Sequence, residues 1–248
     1  MKKLLIIFIS ILMTLICSSA GFGQKIMKLD DELKANSTPM EAKFKGISIT
    51  PKYEFGPYKI VSGKGGWGVG TSTTDKFSSE TYTESKSKSS IVFTVNGKDT
   101  ILVNTMTNAN YTESENDGFF GSVTTLEGSL ENFTALISPY NDTTLWKMIL
   151  VSTVTGEVGG DNTEGLLTNG VTNIQIRGIK QWEDGKNTPF MTICGLGLFI
   201  DNKEVAAVQT MTNKMFVWLH QNLDEQMKSV LAAAAASLMV YSLGTESF

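Results

Sequence analysis

The sequence predicts a mainly β protein, a closed antiparallel barrel of about twelve strands around a buried hydrophobic C-terminal helix. Three observations favour this fold class. Short runs rich in valine, isoleucine, threonine and aromatic residues alternate with turn residues between about residues 46 and 218. An uncharged helical segment follows at residues 229–243. The 248 residues are 41% hydrophobic and only 19% charged, which excludes a disordered chain and allows a sizeable core.

The N-terminus has the three parts of a secretory signal peptide, which we expect at residues 1–20. Two lysines are followed by a mostly apolar run at residues 4–16, and small residues precede a cleavage point after Ala20. Cleavage after Gly23 fits equally well. We therefore expect export through the secretory pathway to the periplasm, the envelope or the medium. An uncleaved anchor is an alternative, although the apolar run is shorter than the ~20 residues that span a bilayer.

The chain has two cysteines. Lipidation at Cys17 is a further alternative, although Ile16 is larger than the residue that a lipidation signal places before its cysteine. If Cys17 leaves with the signal, Cys194 is the sole cysteine and no intramolecular disulfide can form. Cys194 lies in the apolar run at residues 190–200, so we expect a buried and inert thiol.

Residues 21–43 are rich in charged and polar side chains and are predicted to form a lead-in segment with one helical turn. A single barrel domain is then expected at residues 44–248. Without the two signal lysines the chain has 19 basic and 25 acidic side chains, a net charge of −6. Arg177 is the only arginine. An acidic chain without clustered arginines is a poor candidate for binding phosphate backbones, so no nucleic-acid partner is expected.

Turn residues separate the predicted strands. Asn-Gly at residues 96–97 supplies the positive φ angles of a type I′ turn and predicts a hairpin. Asp-Asn at residues 201–202 is predicted to close a second hairpin. Further turns are expected at residues 139–142 and at residues 184–185.

The last segment predicts a central helix at residues 224–243, with Asp224 as its N-cap and a stop at Gly244. Residues 229–243 carry no charge on any face, so this helix needs apolar surroundings on all sides. Only a bilayer or the interior of the protein supplies them.

The length of the uncharged segment favours the interior. Fifteen residues at 1.5 Å each reach about 22 Å, whereas the hydrocarbon core of a bilayer is about 30 Å thick. The five alanines at residues 232–236 keep the helix thin enough to fit inside a barrel. The predicted structural core of the helix contains Leu231, Ala234, Leu238 and Met239. The alternative fold is a β-sandwich with a C-terminal membrane helix.

The last fifty residues have a recognisable order of elements. A strand pair at residues 198–208 precedes a strand at residues 214–219, and Leu223-Asp224-Glu225 opens the apolar helix. This order resembles the closing pattern of the tubby C-terminal-like superfamily, which includes LURP-one-related proteins and phospholipid scramblases. The resemblance implies a barrel of about twelve strands around a C-terminal helix. It carries over no site residue.

A search for chemistry predicts no catalytic, cofactor-binding or metal-binding residue. His220 is the only histidine, lies between the last strand and the helix, and is interpreted as a junction residue. Residues 63–68 match G-x-G-x-x-G but lack the following helix that holds a pyrophosphate. Residues 113–118 imitate a calcium loop but have Thr124 where a bidentate glutamate is needed, so we expect a solvated acidic loop. Residues 78–90 are interpreted as an exposed polar hairpin or loop and not as a basic patch.

These observations favour a non-enzymatic, exported binding or scaffolding domain of the cell envelope, one that engages lipid or another envelope component peripherally. No cofactor is expected. One alternative is an exported hydrolase with acidic loop residues, because 25 acids on a β scaffold always permit some pair of carboxylates. Another is a β-rich surface protein with a C-terminal membrane anchor.

Overall fold

The computed structural model describes residues 25–45, 52–65, 69–75, 80–97, 99–118, 121–139, 144–155, 161–189, 192–211 and 214–245. The predicted signal peptide, Cys17 and most of the predicted turn at residues 139–142 lie outside the described residues.

Thirteen strands and two helices occur in the described residues. The helices are α1 (Asp31–Ala35) and α2 (Glu225–Thr245). The strands are β1 (Met40–Phe44), β2 (Tyr53–Phe55), β3 (Tyr58–Gly65), β4 (Val69–Asp75), β5 (Glu80–Val95), β6 (Asp99–Gly118), β7 (Gly121–Ser138), β8 (Trp146–Thr155), β9 (Asp161–Thr168), β10 (Asn173–Ile179), β11 (Gly195–Ile200), β12 (Lys203–Gln209) and β13 (Met215–Leu219).

Twelve of these strands close into an antiparallel barrel, which confirms the predicted fold class. The order around the ring is β3-β2-β1-β13-β12-β11-β10-β9-β8-β7-β6-β5, and β3 pairs with β5 to close it. Strand β4 lies outside the ring and continues along the edge of β5 beyond β3. Side chains alternate across the wall, as a pleated strand requires. On β6, for example, Ile101 and Val103 are buried whereas Leu102 between them is 50% exposed.

Two predicted turns have the expected backbone conformation. Asn96 and Gly97 have φ angles of 50° and 68°, and Asp201 and Asn202 have φ angles of 49° and 64°. Positive φ at both central residues is the signature of a type I′ turn, whose twist matches that of paired strands. Gly185 also has a positive φ of 80°, and its N–H donates to the Trp182 carbonyl at 2.9 Å.

Helix α2 occupies the interior of the barrel. Each residue from 230 to 239 is at most 1% exposed, and Leu231, Ala234, Leu238 and Met239 are fully buried. This burial excludes the alternative of a sandwich with a membrane helix. Asp224 caps the helix, since its Oδ1 accepts the Met227 N–H at 2.7 Å. The helix runs one residue past the predicted stop at Gly244, because one glycine costs a helix only about 1 kcal/mol.

The alanine run inside the barrel provides a test of this packing. We expect Ala234→Leu to lower the free energy of unfolding by about 1–3 kcal/mol, because the added methylenes overpack a filled interior. Denaturant melts monitored by circular dichroism measure the change. Val171→Leu is the control, since Val171 is 89% exposed. An unchanged melting temperature for Ala234→Leu would contradict the packing.

The segment predicted as a lead-in is more structured than its composition indicated. The barrel begins at Met40 with β1, four residues before the predicted boundary, and α1 precedes it. Residues 25–37, the N-terminal segment, cover the outside of the barrel. The segment has few apolar residues, but Met27 and Leu33 are among them and both are buried against the barrel wall. The high average polarity of the segment gave no indication of this packing. A second apolar cluster forms under the segment from Met27, Leu33, Trp182, Cys194, Ala207 and Trp218.

The thiol of Cys194 is buried in this outer cluster. Its Sγ donates to the Ile179 carbonyl at 3.1 Å. Burial raises the pKa of the thiol to about 11, so the reactive thiolate is scarce at neutral pH. The predicted burial is confirmed, and the raised pKa supports an unreactive role.

Two buried polar side chains of β12 hold the backbone of the N-terminal segment. Gln209 accepts the Met27 N–H at 2.9 Å and donates to the Lys25 carbonyl at 3.1 Å. Glu204, which is 4% exposed, accepts the Asp30 N–H at 2.7 Å through Oε2. Its Oε1 is buried and has no hydrogen-bond partner among the described residues. Burial raises the pKa of Glu204 to about 7, although the Asp30 N–H lowers it in part.

The raised pKa of Glu204 predicts a pH-dependent stability. A folded pKa above the unfolded value means that the stabilisation is complete below about pH 4.5 and is lost as the pH rises through about 7. We expect Glu204→Gln, which keeps an acceptor for the Asp30 N–H, to raise the free energy of unfolding by about 2 kcal/mol at pH 8 and to change it little at pH 4. Parallel denaturant melts at the two pH values measure this, and an equal effect at both would contradict it.

Candidate functional site

A cluster of lysines lies on the outer surface of β1, β2 and β3. The strand register places Lys43, Glu54 and Lys59 side by side in one row across the three strands. The next row contains Lys45 and Lys52, whose backbones are joined by a hydrogen bond of 2.8 Å. The rows share one face because their members are two residues apart along each strand.

A groove of about 240 Å³ opens on this surface and is lined by three of the lysines, Lys45, Lys52 and Lys59, together with Glu54 and Val61 among others. We call the groove and its lysines, with Lys43 beside them, the lysine groove. The lysine side chains are solvent-exposed, and Val61, which is 38% exposed, adds an apolar rim.

The charge of the lysine groove is unbalanced. Lys45 Nζ lies 2.5 Å from Glu54 Oε2. This hydrogen bond and the positive charge of Lys45 hold the pKa of Glu54 below its usual value, and Lys59 and Lys43 lower it further. Lys43, Lys52 and Lys59 form no ion pair with any described residue. One carboxylate therefore faces four ammonium groups, an arrangement that attracts anions such as phosphate.

This cluster was missed by the sequence analysis. The predicted domain boundary at residue 44 separates Lys43 from Lys45, and neither the scarcity of arginine nor the lysines at residues 78–90 points to this surface. A signal was present, because Lys45 follows Lys43 by two residues at the end of β1 and Glu54 follows Lys52 by two residues at the start of β2. Only the strand pairing shows that Lys59 belongs to the same face.

The motifs weighed in the sequence do not form a second site. His220 lies at the junction of β13 and α2, where its Nδ1 accepts the Asn222 N–H at 3.2 Å. Gly63 and Gly65 belong to β3, and a strand, not a helix, begins at Val69. Trp67 lies outside the described residues. Within the part of the chain that is described, no group of three or more histidine, cysteine, aspartate or glutamate side chains is placed to hold a metal ion.

The acidic segment at residues 113–118 is not the predicted loop. It forms the end of β6 and pairs with β7, with Glu113 opposite Leu126 and Asp117 opposite Ser122. Of the polar hairpin or loop predicted at residues 78–90, residues 80–90 belong to β5, whose first half pairs antiparallel with the preceding strand β4. Residues 78–79 lie outside the described residues.

Tyr241, near the C-terminal end of α2, is hydrogen-bonded to Glu131 on β7. The Tyr241 hydroxyl donates to Glu131 Oε2 at 2.7 Å, and its ring packs on Phe133 with centroids 4.8 Å apart. Burial raises the pKa of Glu131, and the hydrogen bond from Tyr241 offsets part of this effect. The neighbours of Glu131 across the strands are Ala109 and Ser152. The group anchors the helix terminus to β7.

Among the described residues, no helix combines the length and the apolar character that crossing a membrane requires. Comparisons with protein-family models, with curated proteins and with solved structures gave no match for this chain.

Proposed function

We propose that this protein is an exported, non-enzymatic binding domain of the cell envelope that holds anionic lipid headgroups in the lysine groove. The observation that carries the proposal is the set of three lysines, Lys43, Lys52 and Lys59, without an ion-pair partner among the described residues, at the edge of an open groove. The rest of the chain is acidic, so this positive surface is a local departure from the net charge.

The energetics favour a membrane surface as the source of the anion. A lysine near an anionic leaflet contributes about 1 kcal/mol, so one lysine binds weakly and several together bind measurably. A groove of about 240 Å³ has room for a phosphate-bearing headgroup but not for acyl chains. The exposed Val61 at the rim allows shallow apolar contact next to the charges.

The barrel interior supports a peripheral mode of binding. Helix α2 and the inward side chains of the wall form one continuous apolar core. A lipid acyl chain would have to displace this helix, at the cost of much of the core. Binding at the outer surface requires no such change.

We also propose a family for this chain, the tubby C-terminal-like superfamily. The tubby-like resemblance in the last fifty residues implies a barrel around a C-terminal helix, and a barrel of this kind supports the assignment. We propose membership of that superfamily on these grounds, together with export by the signal peptide at residues 1–20.

Titration of the isotope-labelled protein with a soluble short-chain phosphatidylglycerol, followed by NMR, tests the proposal. We expect chemical-shift changes centred on Lys43, Lys52 and Lys59 that grow with ligand concentration. A short-chain phosphatidylcholine is the control and should leave these signals in place. Shifts centred elsewhere, or none with phosphatidylglycerol, would overturn the proposal.

A further inference from the structure

Two of the three buried side-chain polar atoms that lack a hydrogen-bond partner among the described residues lie under the N-terminal segment. They are Glu204 Oε1 and the indole Nε1 of Trp182, and the third belongs to Asn108. Each such atom has lost its contact with water without gaining a partner, which costs free energy. The segment covers both, since Met27 pairs with Trp182 and the Asp30 N–H donates to Glu204. Both atoms would regain water if the segment moved away.

We propose that the N-terminal segment is a displaceable cover of the barrel wall, and that ionisation of Glu204 drives its opening. Opening exposes the outer cluster, including the indoles of Trp182 and Trp218 and the thiol of Cys194. The segment precedes β1 and lies outside the ring of strands, so it can leave without breaking the strand pairs of the barrel.

The segment is attached to the wall by a small number of contacts. Met27 and Leu33 are its only fully buried side chains. Its backbone pairs with residues 181–183 through hydrogen bonds of 2.8 and 2.9 Å. Further contacts are the hydrogen bonds with Gln209 and Glu204 and ion pairs between exposed side chains, which contribute little. Segments held in this way open locally, and one buried charge is enough to shift the balance.

No cation among the described residues compensates a charge on Glu204 in the closed position. Lys203, which precedes it on β12, instead lies 3.8 Å from Glu32 of the segment. The guanidinium of Arg177 on β10 donates to Asn202 at 2.8 Å. Neither basic side chain forms an ion pair with Glu204. An ionised carboxylate in this place is buried and unpaired, which is costly.

The acidic groups of the segment make this cost larger. Burial raises the pKa of Glu204 to about 7, the Asp30 N–H lowers it in part, and the Asp30 carboxylate raises it. Asp31 and Glu32 follow in the first turn of α1 and add negative charge to the segment. In the open position the carboxyl group returns to water and its pKa to the ordinary value of 4.5. The closed position is therefore favoured while Glu204 is protonated, and opening increases as the pH rises from about 4.5 to about 7.

Hydrogen–deuterium exchange measures the opening, with the chain from Gln24, which contains every described residue. After correction for intrinsic rates, the hydrogen-bonded amides of Met27, Lys28 and Asp30 are expected to exchange about tenfold faster at pH 8 than at pH 6, as the closed and open pKa values of Glu204 require. Glu204→Gln keeps an acceptor for the Asp30 N–H but carries no charge. Its corrected rates should be equal at the two pH values.

Two variants test the other titrating groups near Glu204. Glu32→Gln makes the same chemical change at an exposed carboxylate of the segment and should keep the tenfold ratio. Histidine side chains titrate near neutral pH, and the His220 N–H donates to the carbonyl of Val205, the next residue after Glu204. His220→Gln tests that imidazole and should also keep the ratio.

Alkylation of Cys194, the sole cysteine of that chain, reports whether opening uncovers the outer cluster. The rate is compared with that of the same chain unfolded in denaturant at the same pH. This relative rate should rise about tenfold from pH 6 to pH 8 in the wild type and stay constant in Glu204→Gln. Leu33→Ala removes one of the two buried contacts of the segment and should raise the relative rate by roughly tenfold or more at both pH values.

Equal corrected exchange rates at the two pH values in the wild type, or a tenfold ratio that persists in Glu204→Gln, would overturn the proposal. A change of the same size in the amides of β7 would also overturn it, because the whole barrel would then be unfolding. A Cys194 that stays unreactive while the segment amides exchange faster would contradict the uncovering of the outer cluster.

Discussion

The Leu238→Ala substitution is expected to lower the free energy of unfolding by about 2–5 kcal/mol. Leu238 is fully buried in α2 and is surrounded by the barrel wall. Truncation loses the transfer free energy of the removed methyl groups and leaves a cavity. The wall cannot collapse into that cavity without breaking the hydrogen bonds that close the ring, so we expect a value in the upper part of this range.

Chemical denaturation followed by circular dichroism measures the effect. Leu102→Ala is a matched control, because the same side chain is truncated at a site that is 50% exposed on the barrel wall. The control should change the free energy of unfolding by no more than about 0.5 kcal/mol. Similar effects for the two variants would mean that Leu238 does not lie in a closed interior.

The triple substitution Lys43→Gln, Lys52→Gln and Lys59→Gln is expected to weaken binding to anionic vesicles by roughly 100-fold. Each lysine contributes about 1 kcal/mol near an anionic leaflet, and three together give about 3 kcal/mol. Glutamine keeps most of the length and the hydrogen-bonding capacity of lysine, so the change isolates the charge. Co-sedimentation with vesicles over a range of lipid concentrations measures the partition coefficient.

A matched triple variant separates the site from the net charge. Lys34, Lys186 and Lys203 are exposed lysines outside the groove that pair with Glu183, Asp184 and Glu32. Their replacement by glutamine lowers the net charge by the same amount. We expect this variant to bind within a factor of about three of the wild type, since lysines that already face carboxylates attract a membrane weakly. Equal losses in the two triple variants would show that only the overall charge matters.

Local patterns in the sequence were sufficient to predict the fold class. The uncharged run at residues 229–243 is too short to span a bilayer as a helix, so it has to be buried on all sides inside the protein. The turn dipeptides at residues 96–97 and 201–202 identified two hairpins. The closed ring was expected from the number of strands. That β3 pairs with β5, with β4 left outside, depends on register and could not be read from composition.

The candidate site depended on contacts between distant residues. Glu54 lies between Lys43 and Lys59 only because β1, β2 and β3 pair in that order. The same reason explains why the role of Glu204 was missed, since the residue that it holds, Asp30, lies 174 positions away. A charged residue on a predicted strand is expected in solvent unless a partner is known. The acidic end of β6 was predicted as a loop because its residues are almost all polar, and polar composition is typical of loops.

Flotation of the chain from Gln24, purified without detergent, tests the central claim most directly. The claim is that the apolar helix is enclosed and that membrane contact is peripheral and electrostatic. We predict a protein that stays soluble alone, floats with vesicles containing phosphatidylglycerol at low salt, and remains at the bottom with phosphatidylcholine vesicles or at high salt. A protein that requires detergent, or that floats equally with neutral vesicles, would contradict the claim.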